Sequence, residues 1–124
     1  MNKKYWLLAP ALTLMAQSAS QVNAQDPCVV QEVPPVCQGG RRLTINVNSM
    51  RVSPPNLCAR PGSSIDVNVV PNSFVSIQPK GDRDWPRQSG SSFTLNVPED
   101  ASGAYDYNVY FEDGSCIDPR ISVD

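Results

Sequence analysis

From residue 41 onward the chain alternates apolar and polar positions with a period of two. In 41–48, RRLTINVN, the residues Leu43, Ile45 and Val47 share one face; in 64–70, SIDVNVV, Ile65, Val67 and Val69 do the same. SFVSIQ offers Val75 and Ile77, SFTLNV offers Phe93, Leu95 and Val97, and AYDYNVYF offers Tyr105, Tyr107, Val109 and Phe111. CIDPRISV adds Ile117, Ile121 and Val123. Successive side chains of an extended strand point to opposite faces, so each stretch predicts a strand with one buried and one solvated face. The intervening SPPN, ARPGS, VPNS, QPKGDRDWPRQSGSS, PEDASG and EDG are turn and loop compositions. No stretch beyond residue 24 carries a 3.6-residue apolar period. Six to eight short strands at this spacing predict an all-β domain of two packed sheets over 41–124. Asp113-Gly114 predicts a tight hairpin, because glycine supplies the positive φ that such turns require. Pro119 cannot donate to a ladder and predicts a bulge or a strand edge.

Before residue 41 the pattern differs. Residues 1–24 place Lys3 and Lys4 ahead of an apolar run from Tyr5 to about Ala16, then small and polar residues ending at Val22-Asn23-Ala24. That order predicts a secretory signal peptide cut after Ala24, with an apolar run too short for a spanning helix. Residues 25–40, with Pro27, Pro34, Pro35 and Gly39-Gly40, read as an irregular proline-rich arm. An exported chain without membrane insertion follows, periplasmic or secreted. Lys3 and Lys4 leave with the leader, so ten basic residues become eight against twelve acidic, a net charge of −4. Nucleic-acid binding would need a basic face, which this balance does not provide.

Cys28, Cys37, Cys58 and Cys116 form an even set in a small exported domain, which predicts two disulfides. Three pairings are possible. Loop length favours Cys28–Cys37, closing the proline-rich segment, with Cys58–Cys116 tying the middle of the chain to its last strand. Zinc is disfavoured, because the spacing contains no Cys-x-x-Cys pair and the chain has no histidine.

Three pieces of sequence resemble the cupredoxin-like superfamily, the Greek-key sandwiches that include plastocyanin-type blue copper proteins. MRVSPPNLCARPGSSIDVNVV resembles their early strand, Ser-Pro and Pro-Gly turn; VPEDASGAYDYNVYF resembles their penultimate strand, with Gly103 and Tyr105 in its Gly-x-Tyr opening; DPRISVD resembles the ending of small exported members. The resemblance implies a Greek-key sandwich over roughly 41–124. It also implies where copper ligands would stand: a cysteine at Val109, a histidine within Tyr110–Asp113, and another near Pro71–Phe74. None of those positions holds a ligand residue of the blue site, which needs two imidazoles and a thiolate. A soft copper(I) site is equally poorly supplied, with Met50 the one thioether left after the leader and the cysteines paired. No metal and no cofactor is expected.

Charge and an aromatic concentrate in one loop, 78–92, where Lys80, Arg83 and Arg87 alternate with Asp82 and Asp84 around Trp85. Lys80, Arg83, Trp85 and Arg87 are the candidate binding residues for a protein or saccharide partner, since Trp and Arg dominate binding hot spots. The same loop also fits a plug, with Trp85 closing one end of the sandwich and the charges merely solvated. Asp82-x-Asp84 lacks the spacing of a calcium loop. Tyr105 and Tyr107 share a face with Val109 and Phe111 and belong to the core, while Tyr110 faces the other way. Catalysis has little to stand on: a Ser/His/Asp set is impossible without histidine, and the adjacent acids Glu99-Asp100 and Glu112-Asp113 sit in turns. The reading is a non-enzymatic, copper-free binding or accessory module. Its alternatives are a structural or protective domain of an envelope assembly and, less favoured, redox work through an exchangeable disulfide.

Overall fold

A computed structural model of the chain describes residues 28–124. The leader read over 1–24, with its cut after Ala24, lies outside the described residues. Ten strand segments follow: β1 (Arg42–Asn46), β2 (Arg51–Ser53), β3 (Asn56–Ala59), β4 (Ser64–Val70), β5 (Val75–Pro79), β6 (Gln88–Gly90), β7 (Ser92–Asn96), β8 (Gly103–Tyr110), β9 (Cys116–Ile117) and β10 (Arg120–Val123). They build two sheets, one in the order β2-β1-β4-β7 and one in the order β3-β10-β8-β5-β6, with β9 also on β8. Both sheets are mixed, because β1 runs parallel to β4 and β3 parallel to β10 while the other pairs are antiparallel. The all-β sandwich expected from the alternation is the fold observed.

The core forms between the sheets. Leu43, Ile45, Ile65, Val67 and Leu95 come from one, and Leu57, Val75, Ile77, Tyr107, Val109 and Ile121 from the other. In β4 every second residue is buried, Ile65, Val67 and Val69, and those between are exposed. Each such aliphatic side chain contributes about 1.5–3 kcal/mol on burial. The short strands β2, β3 and β6 are additions to the sequence reading. They span three or four residues each, too few for an alternation to register.

The hairpin at Asp113-Gly114 joins β8 to β9, with Gly114 at φ +89°. Phe111 N–H donates to Ser115 O at 2.8 Å, and the Ser115 N–H and hydroxyl both donate to Asp113 Oδ1. Of the two places expected for Pro119, the structure has the edge of the final strand, just ahead of β10, and not a bulge. The register is unbroken across it, Ile117 opposite Val109 and Arg120 opposite Asp106, so no residue is inserted. Pro119 accepts from Tyr107 N–H at 3.1 Å and leaves the reciprocal donor missing. It sits where the strand's outer neighbour changes from Val29, beside Ile117, to β3.

The disulfides correct the favoured pairing. Cys28 bonds Cys116, 88 residues away, and Cys37 bonds Cys58, 21 away. Loop length favoured an arm stapled to itself; the arm instead lies along the edges of both sheets, where unpaired backbone groups need partners. Val29 N–H donates to Cys116 O at 2.7 Å. The buried Gln31 amide serves Val52 of edge strand β2 at both ends, accepting from its N–H at 3.2 Å and donating to its carbonyl at 2.8 Å. Gln38 does the same for β3 with its backbone, donating to Asn56 O at 2.8 Å and accepting from Cys58 N–H at 2.7 Å. On the chain-entropy model the two bridges contribute about 4.5 and about 3 kcal/mol for the long and short closures.

Candidate functional site

The segments to which the resemblance assigns copper ligands do meet at one end of the sandwich. Ser73 and the run Phe111, Glu112, Asp113 and Ser115 line a cleft of about 410 Å³, walled on its other side by Val47, Asn48 and Met50. Val109, at the cysteine's position, is fully buried in the core instead. Met50 closes the β1–β2 turn in the left-handed region, φ +53°, and Val47 N–H donates to Val70 O at 2.8 Å, fastening that turn to the end of β4. The Ser115 hydroxyl, and after it the Ser115 N–H, holds the exposed Asp113 carboxyl below the usual carboxylate range. One thioether, hydroxyls and turn carboxylates do not fit a trigonal copper site. Among the described residues no cluster of three or more His, Cys, Asp or Glu is placed to hold a metal ion.

Two large apolar side chains next to these segments are exposed. Phe74 is 51% exposed and Val70 41% exposed. A second cleft, sharing Asn48 and Met50 with the first, is lined by the exposed Val29 and Val30 of the arm. The sequence carried a signal for two of these residues. Val70 is out of phase with Ile65, Val67 and Val69, and Phe74 with Val75 and Ile77, so alternation sends both outward.

The loop 78–92 splits the predicted binding set. Arg83 and Trp85 converge on Tyr105: the Trp85 ring meets it edge to face at 5.2 Å between centroids, and the Arg83 guanidinium carbon stands 4.0 Å from the ring centre. Arg83 Nη2 also donates to Ser102 O at 3.1 Å and Ala104 O at 3.3 Å. Trp85 is half-buried and packs on the core. Gly103 makes room for this arrangement, since it has φ +86° and a Cβ there would stand 3.2 Å from Arg83 Nη2. Lys80 goes elsewhere, to Asp118 at 3.3 Å. With Asp106 and Arg120, themselves paired at 2.7 Å, those two residues face Gln31 and Glu32 across a polar cleft between the arm and the larger sheet. Arg87 is exposed. Sequence proximity suggested one basic-aromatic site; alternation along β5 and the turn after it send Lys80 to a different face from Trp85.

Among the described residues no helix is long and apolar enough to cross a membrane, and two disulfides fit an oxidising, extracytoplasmic compartment. No protein-family model and no curated protein matches the sequence. Solved structures do resemble it in shape. A purple cupredoxin from Nitrosopumilus maritimus aligns at 16% identity and a TM-score of 0.48, over 68% of this chain and all of that one. A mutant amicyanin in its reduced copper(I) form at pH 4 aligns at 12% identity and a TM-score of 0.47, over 66% of this chain and 81% of that one. A second reduced amicyanin mutant aligns at 12% identity and 0.46, over 83% and 88%.

Proposed function

We propose that this chain is an exported, non-enzymatic binding module that engages a protein partner through the apolar end of its sandwich, around Phe74 and Val70. The observation that carries the reading is the exposure of these two residues together with Val29 and Val30, beside clefts that share Met50 as a wall. Exposed apolar patches rimmed by polar groups mark interaction surfaces. Here the rim is supplied by Asn48, Ser49, Glu112 and Asp113. The loop 78–92 fits partner binding less well, because Arg83 and Trp85 are engaged with Tyr105 and with carbonyls of their own domain. That favours a protein over a saccharide, which would need a free aromatic face for stacking.

The test is site-specific photo-crosslinking in the cells that make the protein. A benzoylphenylalanine at position 74 is expected to give a discrete adduct that Met50→Asp abolishes, while the same probe at Thr94 gives none. Equal labelling at both positions, or none at 74, overturns the reading in favour of a structural domain without a partner at that end.

A further inference from the structure

The two disulfides hold the same arm but sit in different surroundings. Cys116 is fully buried and Cys28 is 8% exposed. Cys37 and Cys58 are each half-buried, and Cys58 lines a cleft of about 410 Å³ together with Gly39, Gly40, Arg41, Arg60 and Asp124. The same cleft thus brings together one half-buried cysteine of the bridge, two arginines and one aspartate. Thiol–disulfide exchange depends on access and on stabilising the thiolate, and neighbouring cations help with the second.

We propose that Cys37–Cys58 is an exchangeable disulfide, opened by an external thiol attacking Cys58 from this cleft, and that its opening unfastens the far half of the arm from β3. The incoming thiolate forms a bond to Cys58 Sγ. The Cys37–Cys58 bond breaks with its electron pair on Cys37 Sγ, which takes a proton from water. A second thiol then attacks the mixed disulfide on its external sulfur, releasing Cys58 as a thiol and the reductant as its own disulfide; two electrons and two protons pass to the protein. Cys28–Cys116 stays closed and keeps the near half of the arm in place. What remains on β3 is the backbone pair between Gln38 and the edge residues Asn56 and Cys58, with the Asn56 side-chain bond to Pro34 O at 2.9 Å. Without the covalent tie these few bonds hold the arm around Pro34 to Gln38, and the β3 edge becomes available to an extended polypeptide.

The experiment titrates the oxidised protein with reduced glutathione, quenches by alkylation and maps each cysteine, with amide exchange followed on the same samples. The expected result is glutathione or label on Cys58 and label on Cys37 while Cys28–Cys116 is intact. The amides of Gln38 and Cys58 then exchange about tenfold faster or more while that of Val29 keeps its protection. The double variant Cys37→Ser/Cys58→Ser reproduces that exchange pattern without reductant. Simultaneous opening of both bridges, prior opening of Cys28–Cys116, glutathione on Cys37, or unchanged Gln38 and Cys58 amides in the opened protein overturns the proposal.

Discussion

The Tyr107 ring lies in the core, fully buried, and its hydroxyl has no hydrogen-bond partner. An unpaired buried hydroxyl opposes folding, so Tyr107→Phe should raise stability by about 1 kcal/mol in urea denaturation at neutral pH. Burial also pushes the phenol well above its ordinary range. A raised folded value means that the protonated form is held in the native state and the stability tied to it is lost as pH climbs past the unfolded value of about 10. There the unfolded chain ionises and the native chain does not, at about 1.4 kcal/mol for each further pH unit. The advantage of Tyr107→Phe should therefore widen in alkaline urea titrations. Gly103 is constrained from two sides, by its positive φ and by Arg83 Nη2. Gly103→Ala should cost about 1–2 kcal/mol by the same measurement and disturb the fluorescence of Trp85, which packs on Tyr105 two residues on. At this scale the sequence was legible for Tyr105 and Tyr107 as core residues, because their phase matches Val109. The orphan hydroxyl was not legible, since it depends on what the opposite sheet brings to the ring.

The elements divide by how their contacts are encoded. β1, β4, β5, β7 and β8 announce themselves through alternation because their partners demand one apolar face along several residues. The arm has no such face. It is held through the Gln31 amide and through backbone bonds at Val29 and Gln38, contacts that leave no periodic trace. Ordinary loop-length reasoning consequently paired its cysteines with each other, when each is tied to a different strand of the larger sheet, Cys28 to β9 and Cys37 to β3. Gln31→Ala strips both partners from Val52 and should cost about 2 kcal/mol in thermal or chemical unfolding, with faster amide exchange at Val52 as its local mark. The loop 78–92 was legible as an unusual concentration of Arg and Trp, and Arg83 with Trp85 does form one cluster. The departure of Lys80 toward Asp118 was hidden, because it depends on where β10 lies beside β8.

On the whole molecule, Phe74 and Val70 are exposed apolar side chains that the core does not use, so substitutions there should separate the proposed binding from folding. Val70→Ser is expected to leave stability within about 1 kcal/mol while removing the adduct formed by the probe at position 74, a contrast that a purely structural residue would not give. The topology adds a further constraint. β10 lies between β3 and β8 and pairs in parallel with β3, residues 120–123 beside 56–59. A ribosome delivers residues in order, so β3 waits through the whole stretch 60–119 before the neighbour that completes it emerges. The larger sheet thus cannot close while translation is still under way over these residues. A nascent chain stalled before residue 120 would hold β3 and β8 with a missing middle rail between them, so the sandwich is completed only when β10 has emerged.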